Sequence, residues 1–359
     1  MNPPSSILLL SGAGVLFACA FALALVPPVR RFALGHHVVD HPGDRKIHRQ
    51  PTPYLGGLAV VLSCYAALTV LFLVTWVMPV TLASPAQPWQ PLVALLAGSA
   101  LLFGVGLWDD LTDSRHAVLV KLAGQAAAAS LILITVPRLD LLTWPWLNTL
   151  CCLVWIIGIT NAFNLLDNMD GLMSGVAMIC LSFFLGFAIY HGHLLVALPL
   201  SVLIGALAGF LFFNFNPARI FLGDAGSLAI GFVIAALPVL EFYQVRFQSP
   251  SDFLLATALV FGIPLTDTLS VIAIRLWNRA PIYHGDQNHL SHQLVRRGFS
   301  QRSAVFLLYL LCFTFTGAAL ILPHIRQWMA WVIIAQAFVC AVISTLLLLR
   351  RTTRPTYRP

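Results

Sequence analysis

The chain has 359 residues, 59% hydrophobic and only 9% charged, with a formal net charge of +7. Soluble domains carry about 25% charged residues, so this composition excludes a soluble enzyme and implies an all-α protein that crosses a membrane many times. The basic excess then marks orientation in the bilayer and anionic headgroups or substrates, not nucleic acid.

A spanning helix needs about 20 mainly apolar residues. Runs of that kind predict eleven spans, near 6–28, 56–78, 91–108, 117–136, 147–166, 171–190, 194–213, 226–243, 254–275, 304–322 and 329–349. The 191–193 turn is the weakest division, so ten is the lower count. The first run lacks a basic start, is long for a signal peptide and is followed by Arg30 and Arg31, so it reads as a span. Residues 1–359 are expected to form one integral membrane domain, with a His/Arg loop at 276–303 and a basic tail at 350–359. The seven cysteines all fall in predicted spans without metal-ligand spacing and read as small core residues.

With alternating spans, one face receives every Lys and Arg except Arg138, Arg246 and Arg326. The positive-inside rule makes that face cytoplasmic, with the N-terminus periplasmic and the C-terminus cytoplasmic. All acids but Asp140, Glu241 and Asp252 lie on the same face. The rule makes no such demand on carboxylates, so something there requires them.

Four polar clusters occupy that face. "GLWDDLTDSR" places Asp109, Asp110 and Asp113 at the end of span three, with Lys121 a few residues on. Adjacent carboxylates repel unless a cation neutralises them, and Mg²⁺ is held by one or two carboxylates with substrate phosphates and water. A solvated acidic turn is the plain alternative. "GITNAFNLLDNMDGL" spaces Asn161, Asn164, Asp167 and Asp170 by three, one polar stripe on a helix. Polar groups at membrane depth line a cavity or find partners; Asp170 could also cap the following helix.

"NFNPARIFLGDAGSLAIGF" contributes Asn214, Asn216, Arg219, Asp224 and Ser227, with Gly223 and Gly226 allowing close approach of a ligand. Asp224 suits a metal, or an ordinary helix cap. In "NRAPIYHGDQNHLSHQLVRRGFSQR", His284, His289, His292 and Asp286 sit among Arg279, Arg296, Arg297 and Arg302, a set suited to phosphate rather than zinc. Asp267, inside span nine, is a functional hypothesis by default or a buried partner for Arg275 or a neighbouring Asn.

Carboxylates for a divalent metal, amides and a basic His loop on one face suit phosphates at the lipid–water boundary. The order "GG…WDD…NAFNLLDNMDGL…FLGDAGSLAIGF…His loop" over about residues 38–302 resembles the polyprenyl-phosphate N-acetylhexosamine-1-phosphate transferases of glycosyltransferase family 4. The resemblance implies a multi-pass bacterial inner-membrane enzyme with its active site on the cytoplasmic face. It would transfer N-acetylhexosamine-1-phosphate, with N-acetylglucosamine the favoured sugar, from a UDP-N-acetylhexosamine to undecaprenyl phosphate, releasing UMP.

By the same resemblance, Asp109 and Asp110 match the paired aspartates and Asp224 the metal-binding acid, all three grouped as ligands of Mg²⁺ or, second, Mn²⁺. Asn164, Asp167 and Asp170, with Asn161 and Lys121, fall on the nucleotide-sugar side. His289 and His292 match diphosphate-contacting histidines, and "PTPYLGG" places Lys46 near the lipid phosphate, with Arg279 and Arg296 as further clamps. A homodimer is an open partner. Ser291 stands where family branches carry a middle histidine, which favours the branch initiating O-antigen, teichoic-acid or exopolysaccharide lipids over the phospho-N-acetylmuramoyl-pentapeptide transferases. A cation-coupled transporter is the reading from another class; it predicts acids near mid-bilayer, where only Asp267 qualifies.

Overall fold

The computed structural model describes residues 5–40, 51–77, 89–112, 117–136, 143–244, 250–279 and 288–322, with short stretches from 325 onward. These fall into two compact units, 1–247 and 248–359. Lys46, Asp113, His284, Asp286 and the 350–359 tail lie outside the described residues, as does most of the predicted span at 329–349.

The protein is all-α and multi-pass. Among the described residues, nine helices are long and apolar enough to cross a membrane, and one bent pair makes a tenth candidate. In the first unit these are α1 (Ser5–Gly35), α2 (Gly56–Val77), α3 (Gln90–Leu111), α4 (Ala117–Thr135), α5 (Pro145–Leu166), α6 (Leu172–His191), α7 (Leu194–Asn214) and α8 (Gly223–Gln244). Pro91 and Pro145 open α3 and α5, where their missing N–H costs no helical bond. The division at 191–193 is real: Gly192, at φ +77°, ends α6 in the left-handed conformation and α7 begins two residues later.

Helix α8 is buried over most of its length and packs against α3, α5 and α2, while α1 lies along α7. The α2–α8 contact is backbone against backbone: a methyl on Gly57 would sit 2.3 Å from Gly226 N. Gly226 is therefore small to admit a helix, not a ligand, which corrects the sequence reading. Strands β1 (Val39–Asp40) and β2 (Thr52–Pro53) pair antiparallel, Val39 opposite Pro53. The chain after β2 is stitched to the segment before α8 by Phe221 N–H to Pro53 O (2.7 Å), Gly56 N–H to Phe221 O (2.9 Å) and Gly57 N–H to Leu222 O (2.8 Å).

The second unit contains α9 (Pro250–Val260), α10 (Gly262–Trp277), α11 (Leu290–Arg296) and α12 (Gln301–Ile321). The predicted straight span at 254–275 is broken, with α9 and α10 meeting at 70°. Pro264 has no N–H to give the Val260 carbonyl four residues back, so the helical ladder loses a rung at the bend. The predicted 276–303 loop holds a short helix, α11, closed by Gly298 at φ +98°. Helix α12 is capped by Ser300, whose Oγ accepts from Ser303 N–H at 3.1 Å.

No disulfide is present among the described cysteines. Cys152, Cys180 and Cys312 are buried, whereas Cys151 is exposed and Cys19 and Cys64 are half-buried, so only some fill the core as expected.

Candidate active site

In the first unit the C-terminal ends of α3, α5 and α7 and the N-terminal ends of α4, α6 and α8 share one end of the bundle. Every polar residue of the first three sequence clusters that the structure describes lies there. At the centre the Lys121 ammonium bridges the Asp109 and Asp224 carboxylates. Asn164 donates through Nδ2 to Asp224 Oδ1 and to Ser227 Oγ, both at 2.7 Å. Two carboxylates, one ammonium and one amide thus meet where α3, α4, α5 and α8 converge.

Asp110 is used differently from its neighbour. Its two oxygens accept from Asp224 N–H (2.9 Å) and Ala225 N–H (3.0 Å), so it holds the first turn of α8 and fixes where Asp224 stands. Carboxylates are favoured there because the first amides of a helix have no internal partners. Tyr54 donates its hydroxyl to Asp110 O at 2.9 Å. Burial, then the Asp110 and Asp40 carboxylates, push the Tyr54 phenol above its ordinary range, which keeps it a donor.

The stripe on α5 divides. Asn161 forms a reciprocal amide pair with Gln125 of α4 (2.7 and 3.2 Å) and donates to Ile157 O at 2.8 Å, so its groups are spent between helices. Asp170 accepts from Asn216 Nδ2 (2.9 Å) and Ala218 N–H (3.0 Å), tying the α5–α6 turn to the segment before α8. Its capping role is corrected: α6 starts from Gly171 at φ +77° with no side-chain cap. Asn214, buried, accepts Gly171 N–H at 3.1 Å and donates to Ile220 O at 3.0 Å, another brace of the same turn.

Asp167 is the exception. It ends α5 half-buried, and its carboxyl has no hydrogen bond or ion pair among the described residues. Burial first, then the Asp224, Asp110 and Asp170 carboxylates, push its pKa well above the usual carboxylate range. Of the described acids at this site, only Asp109 and Asp224 meet the Lys121 ammonium, so two carboxylates there share one positive charge.

Those two carboxylates are the test of whether a divalent cation fits. No three acidic, His or Cys side chains among the described residues converge on one point. Asp109 and Asp224 nevertheless converge on one cationic group, and Mg²⁺ takes one or two carboxylates with substrate oxygens and water completing its shell. The donor set fits such an ion.

In the second unit, His289 begins α11 and its Nδ1 lies 2.7 Å from Asp267 Oδ2 of α10. Leu290 N–H donates to Asp267 Oδ1, also at 2.7 Å. The expected partner of Asp267 was Arg275 or an Asn; the pairing with His289 was not foreseen. The His289 and His292 rings are 6.2 Å apart. His292 is half-buried and Ser291, between them, is buried, so a histidine at that position would point inward. Arg279, at φ 52°, and Arg296, in the last turn of α11, are exposed.

Gln125 and Tyr54 escaped the sequence reading. Gln125 follows Lys121 by four, a spacing that puts both on one helix face and would have flagged it.

Helices crossing a membrane many times, with carboxylates, a lysine and amides gathered at one end, define a polytopic membrane protein with a polar site at one surface. The sequence profile of glycosyl transferase family 4 matches residues 92–241. A "probable undecaprenyl-phosphate N-acetylglucosaminyl 1-phosphate transferase" of Bacillus subtilis (strain 168) is 32% identical over 322 residues, covering 87% of this chain and 85% of that protein. The "decaprenyl-phosphate N-acetylglucosaminephosphotransferase" of Mycobacterium tuberculosis (strain ATCC 25618 / H37Rv) is 32% identical over 363 residues, 92% of this chain and 87% of the relative. A "phospho-N-acetylmuramoyl-pentapeptide-transferase" of Limosilactobacillus fermentum is 29% identical over 304 residues, 77% and 88% respectively. The chain belongs to glycosyl transferase family 4.

Proposed function

We propose that this protein transfers N-acetylglucosamine-1-phosphate from UDP-N-acetylglucosamine to undecaprenyl phosphate. The products are undecaprenyl-diphospho-N-acetylglucosamine and UMP, at the cytoplasmic face of a bacterial inner membrane, as the first step of a cell-envelope polysaccharide. The observation that carries the reading is the Asp109–Lys121–Asp224 bridge at one end of the bundle, beside Asn164 and Asp167, whose carboxyl has no partner among the described residues. The two relatives at 32% identity, named for this transfer onto polyprenyl phosphates, support the choice of reaction.

The chemistry is one anion attacking another. A phosphate monoester has a second pKa of about 6, so the lipid phosphate is already mostly a dianion at neutral pH. Its oxygen attacks the sugar-linked phosphorus in line. A new P–O bond forms, the bond from that phosphorus to the bridging oxygen breaks, and the electron pair leaves with UMP. Little proton transfer is needed; Asp109 serves as base for the minor protonated form. Mg²⁺, held by Asp109 and Asp224 with Asp110 behind them, would neutralise the diphosphate when bound.

Lys121 supplies a cation close to the developing charge, worth most in a site shielded from water. Lys46, Arg279 and Arg296 clamp phosphate oxygens, and His289 and His292 meet the diphosphate. Asn164 and Asp167 take the nucleotide side. Asn161 and Asp170, whose polar groups are spent on Gln125 and on the 216–218 segment, support it from behind.

The substrate assignment is tested with purified protein, Mg²⁺, undecaprenyl phosphate and a panel of UDP-N-acetylglucosamine, UDP-N-acetylgalactosamine and UDP-N-acetylmuramoyl-pentapeptide. UMP release is expected with the first. UMP from the pentapeptide donor alone would transfer the protein to the peptidoglycan-precursor reaction, and UMP from none of them would remove the transferase reading.

A further inference from the structure

The buried pair in the second unit contains a carboxylate, Asp267, that the proposed reaction does not yet use. Asp267 is 1% exposed and His289 4%, on α10 and at the start of α11, 22 residues apart in sequence. One carboxylate holds two donors: Leu290 N–H on Oδ1 and the His289 ring on Oδ2, each at 2.7 Å. The backbone bond is the fixed one, because Leu290 belongs to the first turn of α11 and its N–H cannot turn away. The ring is therefore held by the second oxygen of a group whose first oxygen is anchored.

An ionised carboxylate only accepts hydrogen bonds. His289 must then carry its proton on Nδ1, and Nε2 is the nitrogen left to meet a ligand. Ser270 Oγ adds a bond of 2.8 Å to the Asp267 carbonyl, within the helical turn that carries this carboxylate. We propose that Asp267 is a positioning residue for the phosphoryl transfer, fixing the tautomer and direction of His289 so that Nε2 is presented to the diphosphate. The inference rests on the reading that His289 meets the diphosphate, and it adds a residue that touches no substrate itself.

The two-donor geometry makes the substitution Asp267→Asn unusually informative. Asparagine has one acceptor oxygen and one donor nitrogen. The oxygen stays on Leu290 N–H, so the NH₂ group faces the ring, and Nδ1 must become an acceptor. The proton then moves to Nε2 and the ligand-facing nitrogen changes from acceptor to donor. Shape and volume barely change.

The test has two arms. In ¹⁵N-histidine-labelled protein in detergent, at a pH where the ring is neutral, the His289 signal is identified by its absence from His289→Gln. Wild type is expected to show the Nδ1–H tautomer and Asp267→Asn the Nε2–H tautomer. In the UMP assay, Asp267→Asn is expected to lower kcat by about 10³–10⁴-fold, the scale seen when a histidine-orienting carboxylate is replaced elsewhere. KM for the nucleotide sugar should change little, as for an interaction made in the transition state.

The Nε2–H tautomer in wild type overturns the proposal, and this arm needs no variant of Asp267 to fold and no turnover. Wild-type kcat in folded Asp267→Asn overturns it too. A wild-type protein that releases no UMP with any donor removes the transferase reading instead. The nitrogen spectrum separates that failure from a failure of the Asp267–His289 pairing.

Discussion

Asp224→Asn is expected to lower UMP release by at least about 10³-fold at saturating Mg²⁺, the upper end of what one electrostatic group supplies. The reason lies in the number of donors aimed at this side chain. Lys121 and Asn164 both donate to it, one to each oxygen. An asparagine has one acceptor, so either Lys121 or Asn164 would face an NH₂ group, donor against donor. The site also loses one of the two carboxylates that converge on a cation. The fold should survive, because the anchor of the α8 N-terminus is Asp110, accepting the backbone N–H groups of residues 224 and 225. Thermal denaturation and UMP release measured on one preparation check both halves. Full activity at saturating Mg²⁺ would take Asp224 out of the reacting centre.

Gly106→Ala carries the second large effect, and it needs no charge. A methyl at Gly106 would lie 2.3 Å from Asp224 O and 2.5 Å from Ala225 N, both backbone atoms of the first turn of α8. Backbone cannot swing aside as a side chain can, so α8 must move relative to α3. Asp224 would move with it, away from Lys121 and Asn164, and a displacement of about 1 Å costs about 10²-fold in rate. Overpacking of this kind also costs about 1–3 kcal/mol of stability. Gly104, two residues earlier in the same helix, is the control, since a methyl there meets nothing within 4 Å. Gly104→Ala should keep wild-type activity and gain slightly in helix propensity, by up to about 1 kcal/mol. Equal activities for the two variants would show that the α3–α8 contact does not set the site.

The sequence carried the helices and the polar clusters because both are local signals. Long apolar runs announce spans, and Asn164 or Asp167 stands out against them whatever the tertiary structure. What it did not carry was the partner of each polar group. Asp109 and Asp110 are adjacent and chemically identical, yet one meets Lys121 and the other holds the start of α8, a division set by helix packing. Asn161 and Asn164 lie on one stripe, yet Asn161 is consumed by Gln125, across from it on α4. Asp170 looked like a local cap and instead reaches residues 216 and 218.

The break between α9 and α10 was hidden by the apolar run through it, although Pro264 was in plain view. The Asp267–His289 pair joins a span to a loop 22 residues on, and no periodicity links the two. Gly226 looked like room for a ligand because a glycine reports a close approach without reporting what approaches; here it is Gly57.

The claim underlying all of this is that the protein moves a phospho-sugar, not a sugar, onto a lipid phosphate. The nucleotide that leaves decides it. With UDP-N-acetylglucosamine and undecaprenyl phosphate, chromatography of the soluble products should give UMP in equal amount to the lipid-linked sugar, since the bond broken is the one within the diphosphate. UDP appearing in that ratio would mean cleavage at the sugar carbon, and would contradict the account.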